Sequence, residues 1–157
     1  MLTQDLAEML DSPVMMILAT RDSALRPAIA RALGGRAREG GCVIDVLVSR
    51  WQWHEAIGGI APGDPVAVTF VEPEQYRAYQ VKGALTGIAA ADQGGHARVA
   101  DYIARITQVL TGLGVAPHQI KRWLSTDDLV CLTIRLTDVF DQTPGPQAGA
   151  RLSAAAL

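Results

Sequence analysis

A serine and an arginine follow the third predicted strand, where a helix is expected to begin. Ser49 is followed three residues later by Gln52, which is the spacing of a helix capping box. Free backbone N–H groups, the positive end of the helix dipole and the Arg50 guanidinium would then meet at one point. That combination could bind a phosphate. A serine that only caps a helix, beside a solvated arginine, is the alternative.

A carboxamide and an ammonium alternate along the fifth predicted strand. Gln80 and Lys82 point to one face of an extended chain, while Val81 and Leu85 point to the other. The strand rise puts the first pair about 7 Å apart. Such a pair could hydrogen-bond a planar heterocycle and stabilise an anion beside it. An ordinary solvent-facing pair is the alternative.

An arginine and small residues share one face of the second predicted strand. Arg26, Ala28, Ala30 and Ala32 lie two residues apart. They could form a shallow trough against which a flat ring lies. Close packing against the long predicted helix would also favour alanine, and the sequence does not separate these interpretations.

The sequence shows no recognisable nucleophilic triad, carboxylate pair or metal site. No serine or cysteine has a base at a recognisable spacing, and no paired carboxylates suit acid–base work. The histidines His54, His96 and His118 are far apart in the chain. No His/Cys cluster has metal-ligand spacing, and Cys42 and Cys131 are interpreted as two buried thiols. We therefore predict no metal and assign no catalytic residue.

Composition narrows the class of protein. The chain has 157 residues, a net charge of −2 and a pI near 5.9, which argue against broad phosphate neutralisation on nucleic acid. Its apolar runs, such as residues 14–19, are too short to span a bilayer. The first residues show no signal-peptide pattern. We expect a cytoplasmic protein that binds neither nucleic acid nor membrane.

Periodicity predicts a mainly β fold. Predicted strands cover residues 14–20, 25–33, 42–48, 65–71, 76–88 and 129–140, and predicted helices cover 3–11, 51–60, 91–112 and 118–124. Glycines 34, 35, 40 and 41 are expected to bracket a loop, and Gly83 and Gly87 to bend the long fifth strand. Short strands joined by turns favour an antiparallel sheet closed on itself. We expect one domain over residues 1–146 and a tail over 147–157 that frays.

The order of several segments resembles the pyridoxamine 5′-phosphate oxidase-like flavoproteins, over roughly residues 10–150. The matching segments are 16–20, 26–27, 48–49 and 76–83, together with 138–146, which is similar to a C-terminal signature of uncharacterised bacterial members. The resemblance implies a six-stranded antiparallel, Greek-key split β-barrel with flanking α-helices. It also implies a homodimer that binds flavin mononucleotide (FMN) between its subunits.

By that resemblance, Arg26 to Ala28 would lie along the flavin ring and Val48 to Arg50 near the ring and phosphate. Gln80 and Lys82 would approach the ring or the ribityl chain. The complete set of implied cofactor-binding residues is Arg26, Pro27, Ala28, Val48, Ser49, Arg50, Trp53, Gln80 and Lys82.

The chain departs from that family at two points. Gln52 and Trp53 stand where the oxidases carry an Arg-Lys pair, and the substrate-binding Arg-x-His is missing because alanines follow Arg151 and Leu152. We therefore expect an FMN-dependent oxidoreductase for another small molecule and not a true pyridoxamine phosphate oxidase. The alternative is a non-catalytic protein that binds FMN, deazaflavin or haem, with His54 or His96 as axial ligand of a haem. A structural dimer without a ligand also remains open.

Overall fold

Alternating apolar residues build six strands in a computed structural model that describes residues 4–38 and 40–152. The strands are β1 (Met15–Arg21), β2 (Pro27–Ala37), β3 (Val43–Ser49), β4 (Pro65–Val71), β5 (Ala78–Ala90) and β6 (Leu129–Asp141). The helices are α1 (Gln4–Leu10), α2 (His54–Ile57), α3 (Gln93–Gly112) and α4 (Pro117–Lys121).

The strands close into one antiparallel barrel in the order β1-β2-β3-β6-β5-β4. Because β3 pairs with β6 and not with β4, the last four strands have Greek-key topology. Alternate side chains fill the interior, among them Leu18, Val68 and Val81, which share one interstrand row. The predicted mainly β, antiparallel barrel with flanking helices is confirmed.

Glycines lie where the pairing of two long strands is irregular. The pairing register of β5 shifts between Lys82 and Gly83 and again before Gly87, the two glycines at which bends were predicted. The loop predicted at Gly34 and Gly35 is wrong, because β2 continues through both residues. Its register with β3 shifts there, and a Cβ at Gly35 would lie 2.8 Å from the Asp45 carbonyl oxygen. Glycine is thus required for close strand approach.

Helix α3 covers one side of the barrel. Asp92 caps it by accepting a hydrogen bond from the Gly95 N–H at 2.7 Å. Val99, Ile106 and Tyr102 are buried against the barrel, and the Tyr102 hydroxyl donates to the Val14 carbonyl oxygen at 2.8 Å. Burial raises the pKa of Tyr102 to about 12, so the phenol stays protonated at neutral pH.

Two predictions are corrected, one about the C-terminal tail and one about the burial of the cysteines. Residues 147–152 do not fray, since the Leu152 N–H donates to the Val139 carbonyl oxygen at 2.8 Å and Arg151 forms an ion pair with Asp138. Residues 153–157, like Thr3 in the first predicted helix, lie outside the described residues. Cys42 precedes β3 and is exposed, so only Cys131 is partly buried; both thiols are free.

Within residues 4–38 and 40–152, no helix has the length and apolar character needed to cross a membrane. The same residues contain no group of three or more His, Cys, Asp or Glu side chains placed to hold a metal ion.

Candidate functional site

The segment after β3 forms a turn where a helix was predicted. The Gln52 N–H donates to Ser49 Oγ at 3.2 Å, and the Trp53 N–H donates to the Ser49 carbonyl oxygen at 3.1 Å. Helix α2 begins only at His54 and has four residues. The helix predicted over 51–60 is therefore too long, and Ser49 caps a turn that precedes α2. A helix of four residues is too short to provide the phosphate site predicted at its N-terminus.

Ser49 and Arg50 join the end of β3 to the start of β6. The buried Ser49 hydroxyl donates to the Asp127 carbonyl oxygen at 2.6 Å. The Arg50 guanidinium donates to both carboxylate oxygens of Asp128, at 2.8 and 3.0 Å. This pairing raises the pKa of Arg50 and lowers that of Asp128. Both side chains thus have structural partners, and Val48 lies in the core.

One outer side of the barrel carries no helix over most of its width. Two interstrand rows cross it, and we call their eight residues the open face: Ile29, Ala19, Ala67 and Lys82 in one row, and Arg31, Ile17, Thr69 and Gln80 in the next. Ile29 is a large apolar side chain that is 64% exposed. The predicted shared orientation of Gln80 and Lys82 is confirmed.

A cavity of about 450 Å³ lies between the start of β2 and the segment around α2. We call it the β2–α2 cavity; its lining includes Pro27, Ala28, Ile29, Trp53, His54 and Glu55. A second cavity of about 560 Å³, the β1–β4–β5 cavity, is lined by Arg21, Leu25, Pro27, Ala67, Lys82 and Asp138 among others. Pro27 belongs to both, so the cavities are neighbours, and each is large enough for part of a small ligand.

The sequence-predicted residues separate into two groups. Pro27, Ala28, Trp53 and Lys82 line these cavities, and Gln80 lies two residues from Lys82 on the same face. Arg26 precedes Pro27, and its guanidinium is held in the β1–β2 turn by Asp22 at 2.7 Å. Val48, Ser49 and Arg50 line neither cavity.

The trough predicted on β2 is wrong. Ala30 and Ala32 are fully buried, opposite Leu18 and Met16 in the barrel interior. These alanines are small because they pack inside a narrow barrel. The outward residues next to them are Ile29 and Arg31, and Ala28 is the one alanine of the predicted trough that lines a cavity described above.

Trp53 carries a buried hydrogen-bond donor without an acceptor. Its indole Nε1 has no partner among the described residues, although the ring lines the β2–α2 cavity. A buried donor left unpaired costs about 1–3 kcal/mol. A ligand acceptor would recover that free energy once the indole turns so that Nε1 faces the cavity.

Arg31 is a cation that the sequence analysis did not place in the site. Its guanidinium lies 4.9 Å from the centroid of the Trp123 ring and forms no ion pair with a described carboxylate. Burial lowers its pKa, which reflects the cost of holding this charge without a counter-ion. Gln52, which lines the β2–α2 cavity, donates to the Arg122 carbonyl oxygen at 2.6 Å. Trp123 and Arg31 therefore lie close to that cavity.

Lys82 and Gln80 supply donors at the other side of the open face. The Lys82 Nζ lies 4.7 Å from the centroid of the Phe140 ring and has no described carboxylate partner. The Gln80 Nε2 donates to Thr69 Oγ1 at 3.0 Å, which fixes the orientation of the carboxamide across the β4–β5 pair. These two rows therefore present polar donors beside apolar surface, a combination suited to an aromatic ligand that carries negative charge.

No protein-family model matches the chain, and no curated protein is significantly similar to it. Solved structures are similar in fold. Group A Streptococcus HupZ is 15% identical, with 95% of this chain and 100% of that one covered and a TM-score of 0.56. A protein named F420 reductase is 18% identical (84% and 93% covered, TM-score 0.55).

A candidate pyridoxamine 5′-phosphate oxidase from Lactobacillus delbrueckii is 14% identical, with 88% of this chain and 93% of that chain covered and a TM-score of 0.52. The alignments extend over almost the whole described barrel and its helices. The chain therefore has the split-barrel fold of the pyridoxamine 5′-phosphate oxidase-like proteins.

Proposed function

We propose that the open face binds FMN across the two cavities that meet at Pro27, and that the protein is an FMN-dependent oxidoreductase for a small molecule. The observation that carries the proposal is the pairing of these cavities with unpartnered donors. Trp53 Nε1 lacks an acceptor, and Arg31 and Lys82 lack a described carboxylate. An aromatic ring system with a phosphate has the complementary groups.

The residues of the open face fit the parts of FMN. Ala19, Ala67 and Pro27 offer apolar surface for a flat ring. Arg31 at one side of the face and Lys82 at the other each offer a positive charge for a negatively charged part of the ligand. Gln80 and Trp53 offer neutral donors for the polar edge of a heterocycle.

A bound flavin supplies hydride chemistry, and the protein supplies binding, orientation and electrostatics. A positive charge at Lys82 would stabilise negative charge that develops on a ligand beside it. His54 and Glu55 line the β2–α2 cavity and are able to exchange protons. No role as catalytic acid or base is assigned to either.

Two solved structures with this fold support redox chemistry by their names, since one is called a reductase and the other a candidate oxidase. The missing Arg-x-His motif argues for a substrate other than pyridoxamine phosphate. We place the activity in the cytoplasm, where the free thiols of Cys42 and Cys131 would stay reduced.

We further propose that a second copy of the chain covers the open face. Ile29 and Leu25 are 64% and 65% exposed, and both line the cavities. Exposed apolar residues grouped around a cavity are typical of an interface. A homodimer would cover these side chains and enclose a ligand that one subunit leaves partly open.

The visible absorption spectrum of the purified protein tests the cofactor, followed by mass spectrometry of the released molecule. We expect flavin bands, or their appearance when FMN is added to the protein. Reduction by a nicotinamide donor with reoxidation by an acceptor would support the oxidoreductase. A flavin that no donor reduces would leave a non-catalytic FMN protein, and the absence of FMN binding would reject the proposal.

The second candidate is a haem or deazaflavin binding protein. His54 favours haem because its imidazole lines the β2–α2 cavity beside Trp53, whereas His96 is exposed on α3 and lines none of the cavities described here. A Soret band lost in His54→Ala but kept in His96→Ala would establish haem. The protein named F420 reductase supports deazaflavin, which the released molecule's mass would identify.

A further inference from the structure

A third cavity lies on the opposite side of the barrel from the open face. It has a volume of about 350 Å³ and is bordered by β2, β3, β5 and β6 and by the first two turns of α3. We call it the α3 cavity. None of the proposed FMN-binding residues lines it, so it is separate from the site already described.

A buried carboxylate organises two arginines along one wall. The Asp45 side chain is only 3% exposed and accepts from Arg36 Nε at 2.9 Å and Arg38 Nε at 3.0 Å. The Thr133 hydroxyl donates to the same carboxylate at 2.9 Å. The two arginine side chains remain about half exposed, so Asp45 fixes their positions without covering them.

These arginines keep donors free for a ligand. The contacts with described residues use Nε of Arg36, and Nε and Nη2 of Arg38. Arg98, from α3, reaches Asp11 and the Gly35 carbonyl oxygen only at 3.5 Å, beyond the usual hydrogen-bond distance. The lining holds three guanidiniums against the carboxylates of Asp45 and Asp92, and Asp11, outside the lining, lies 3.5 Å from Arg98.

The lining beside this ionic cluster is partly apolar and contains open space. Leu47 and Ile88 belong to it, and a Cβ built on Gly87, which pairs with Thr133, would meet no atom within 4 Å. A ligand that matches both the guanidiniums and this apolar part has an anionic group and an apolar body. We propose that the α3 cavity binds a small organic anion, a carboxylate or a phosphate monoester with an aromatic or aliphatic part.

Two substitutions test the open space and the cationic lining without replacing Asp45 or its hydrogen-bond partners. Gly87→Leu fills the open space, and its strand φ permits a side chain. Arg98→Gln removes the least constrained cation of the lining. Arg135→Gln is the matched control, because Arg135 is an exposed arginine on β6 outside the cavity. Thermal melting of each variant checks that it is folded.

Calorimetric titration with phenyl phosphate and with benzoate distinguishes the two anion types, and benzyl alcohol serves as the neutral probe. We expect at least one anion to bind at least tenfold more tightly than the alcohol. Gly87→Leu should abolish that binding, Arg98→Gln should weaken it about tenfold, and Arg135→Gln should leave it unchanged.

Amide chemical shifts locate the bound probe in the same samples. The N–H signals of Gly94 and Gly95, which line the α3 cavity, should move on titration. Saturable binding by neither anion would overturn the proposal. So would an affinity that either Gly87→Leu or Arg98→Gln leaves unchanged, since the anion would then bind elsewhere, the open face included.

Discussion

The polar groups on the two outer sides of the barrel differ in whether they have hydrogen-bond or ion-pair partners within the protein. Under α3, the Asp45 carboxylate accepts from two guanidiniums and a hydroxyl, and the Tyr102 hydroxyl has a carbonyl acceptor. On the open face, Arg31 and Lys82 have aromatic neighbours but no described carboxylate, and Trp53 Nε1 has no partner. Groups paired within the protein stabilise the fold, whereas unpaired groups, and the guanidinium donors that Asp45 leaves free, are available to a ligand.

The largest expected effect is a loss of stability when Asp45, on the side of the barrel under α3, is replaced. Asp45→Asn removes the charge and turns one acceptor oxygen into a donor against Arg36 and Arg38. We expect the free energy of unfolding to fall by about 2–3 kcal/mol. Urea denaturation measures it, and the FMN affinity of the folded variant should not change. A loss below about 0.5 kcal/mol, the size of an ordinary surface substitution, would contradict this account of the pairing.

The next effect concerns the open face. Ile29→Lys places a charge at the centre of the proposed dimer interface without adding negative charge beside a phosphate. We expect monomers in sedimentation velocity and an FMN Kd at least tenfold higher, about 1.4 kcal/mol. Leu113→Lys is the control, because Leu113 is also exposed, at 49%, but follows α3. Equal behaviour of the two variants would mean that the open face is not the interface.

A smaller effect isolates one donor. Trp53→Phe keeps an aromatic ring and removes Nε1, so FMN affinity should fall about fivefold, roughly 1 kcal/mol. The thermal stability of the FMN-free protein should stay the same or rise, because a buried unpaired donor is lost. Reduced stability with unchanged affinity would show that Trp53 only packs.

The smallest effect is a pH dependence. Burial alone would raise the pKa of Asp45, but its hydrogen bonds outweigh burial and hold that pKa below the ordinary value. The resulting stabilisation is fully present above the ordinary carboxyl pKa near 4 and disappears as pH falls through the lowered value. The unfolding free energy should therefore fall less steeply below about pH 4 in Asp45→Asn than in the unchanged protein. Parallel curves would mean that other carboxylates cause the loss of stability at low pH.

Local periodicity was enough to predict the barrel. Alternation over β6 places Val130, Leu132 and Ile134 inside, as the structure has them, and β4 has the predicted bounds. These signals depend on neighbouring residues only. The Gly34–Gly35 pair was mistaken for a loop, because the reason for these glycines is an approach to Asp45 on another strand.

The site was predicted less well because its residues depend on distant partners. Ser49 and Arg50 have binding-site chemistry in the sequence, yet they contact Asp127 and Asp128, almost eighty residues later. Arg31, by contrast, showed no binding-site pattern in the sequence. Its aromatic neighbour Trp123 follows it by more than ninety residues, and nothing in the sequence showed that it would lack a carboxylate. One pattern could have identified Arg31: it follows and precedes alanines that pack in the core, so its own side chain must point outward.

Titration of FMN into the cofactor-free protein, followed by the quenching of flavin fluorescence, tests the central claim most directly. The unchanged protein should bind one FMN per chain with a Kd of about 1 μM or tighter. Replacement of both Arg31 and Lys82 by glutamine should weaken binding at least a hundredfold, about 2.7 kcal/mol. The same replacement of Arg122 and Arg135 should have no effect. Absence of binding to the unchanged protein, or equal affinity of the two double variants, would contradict the account.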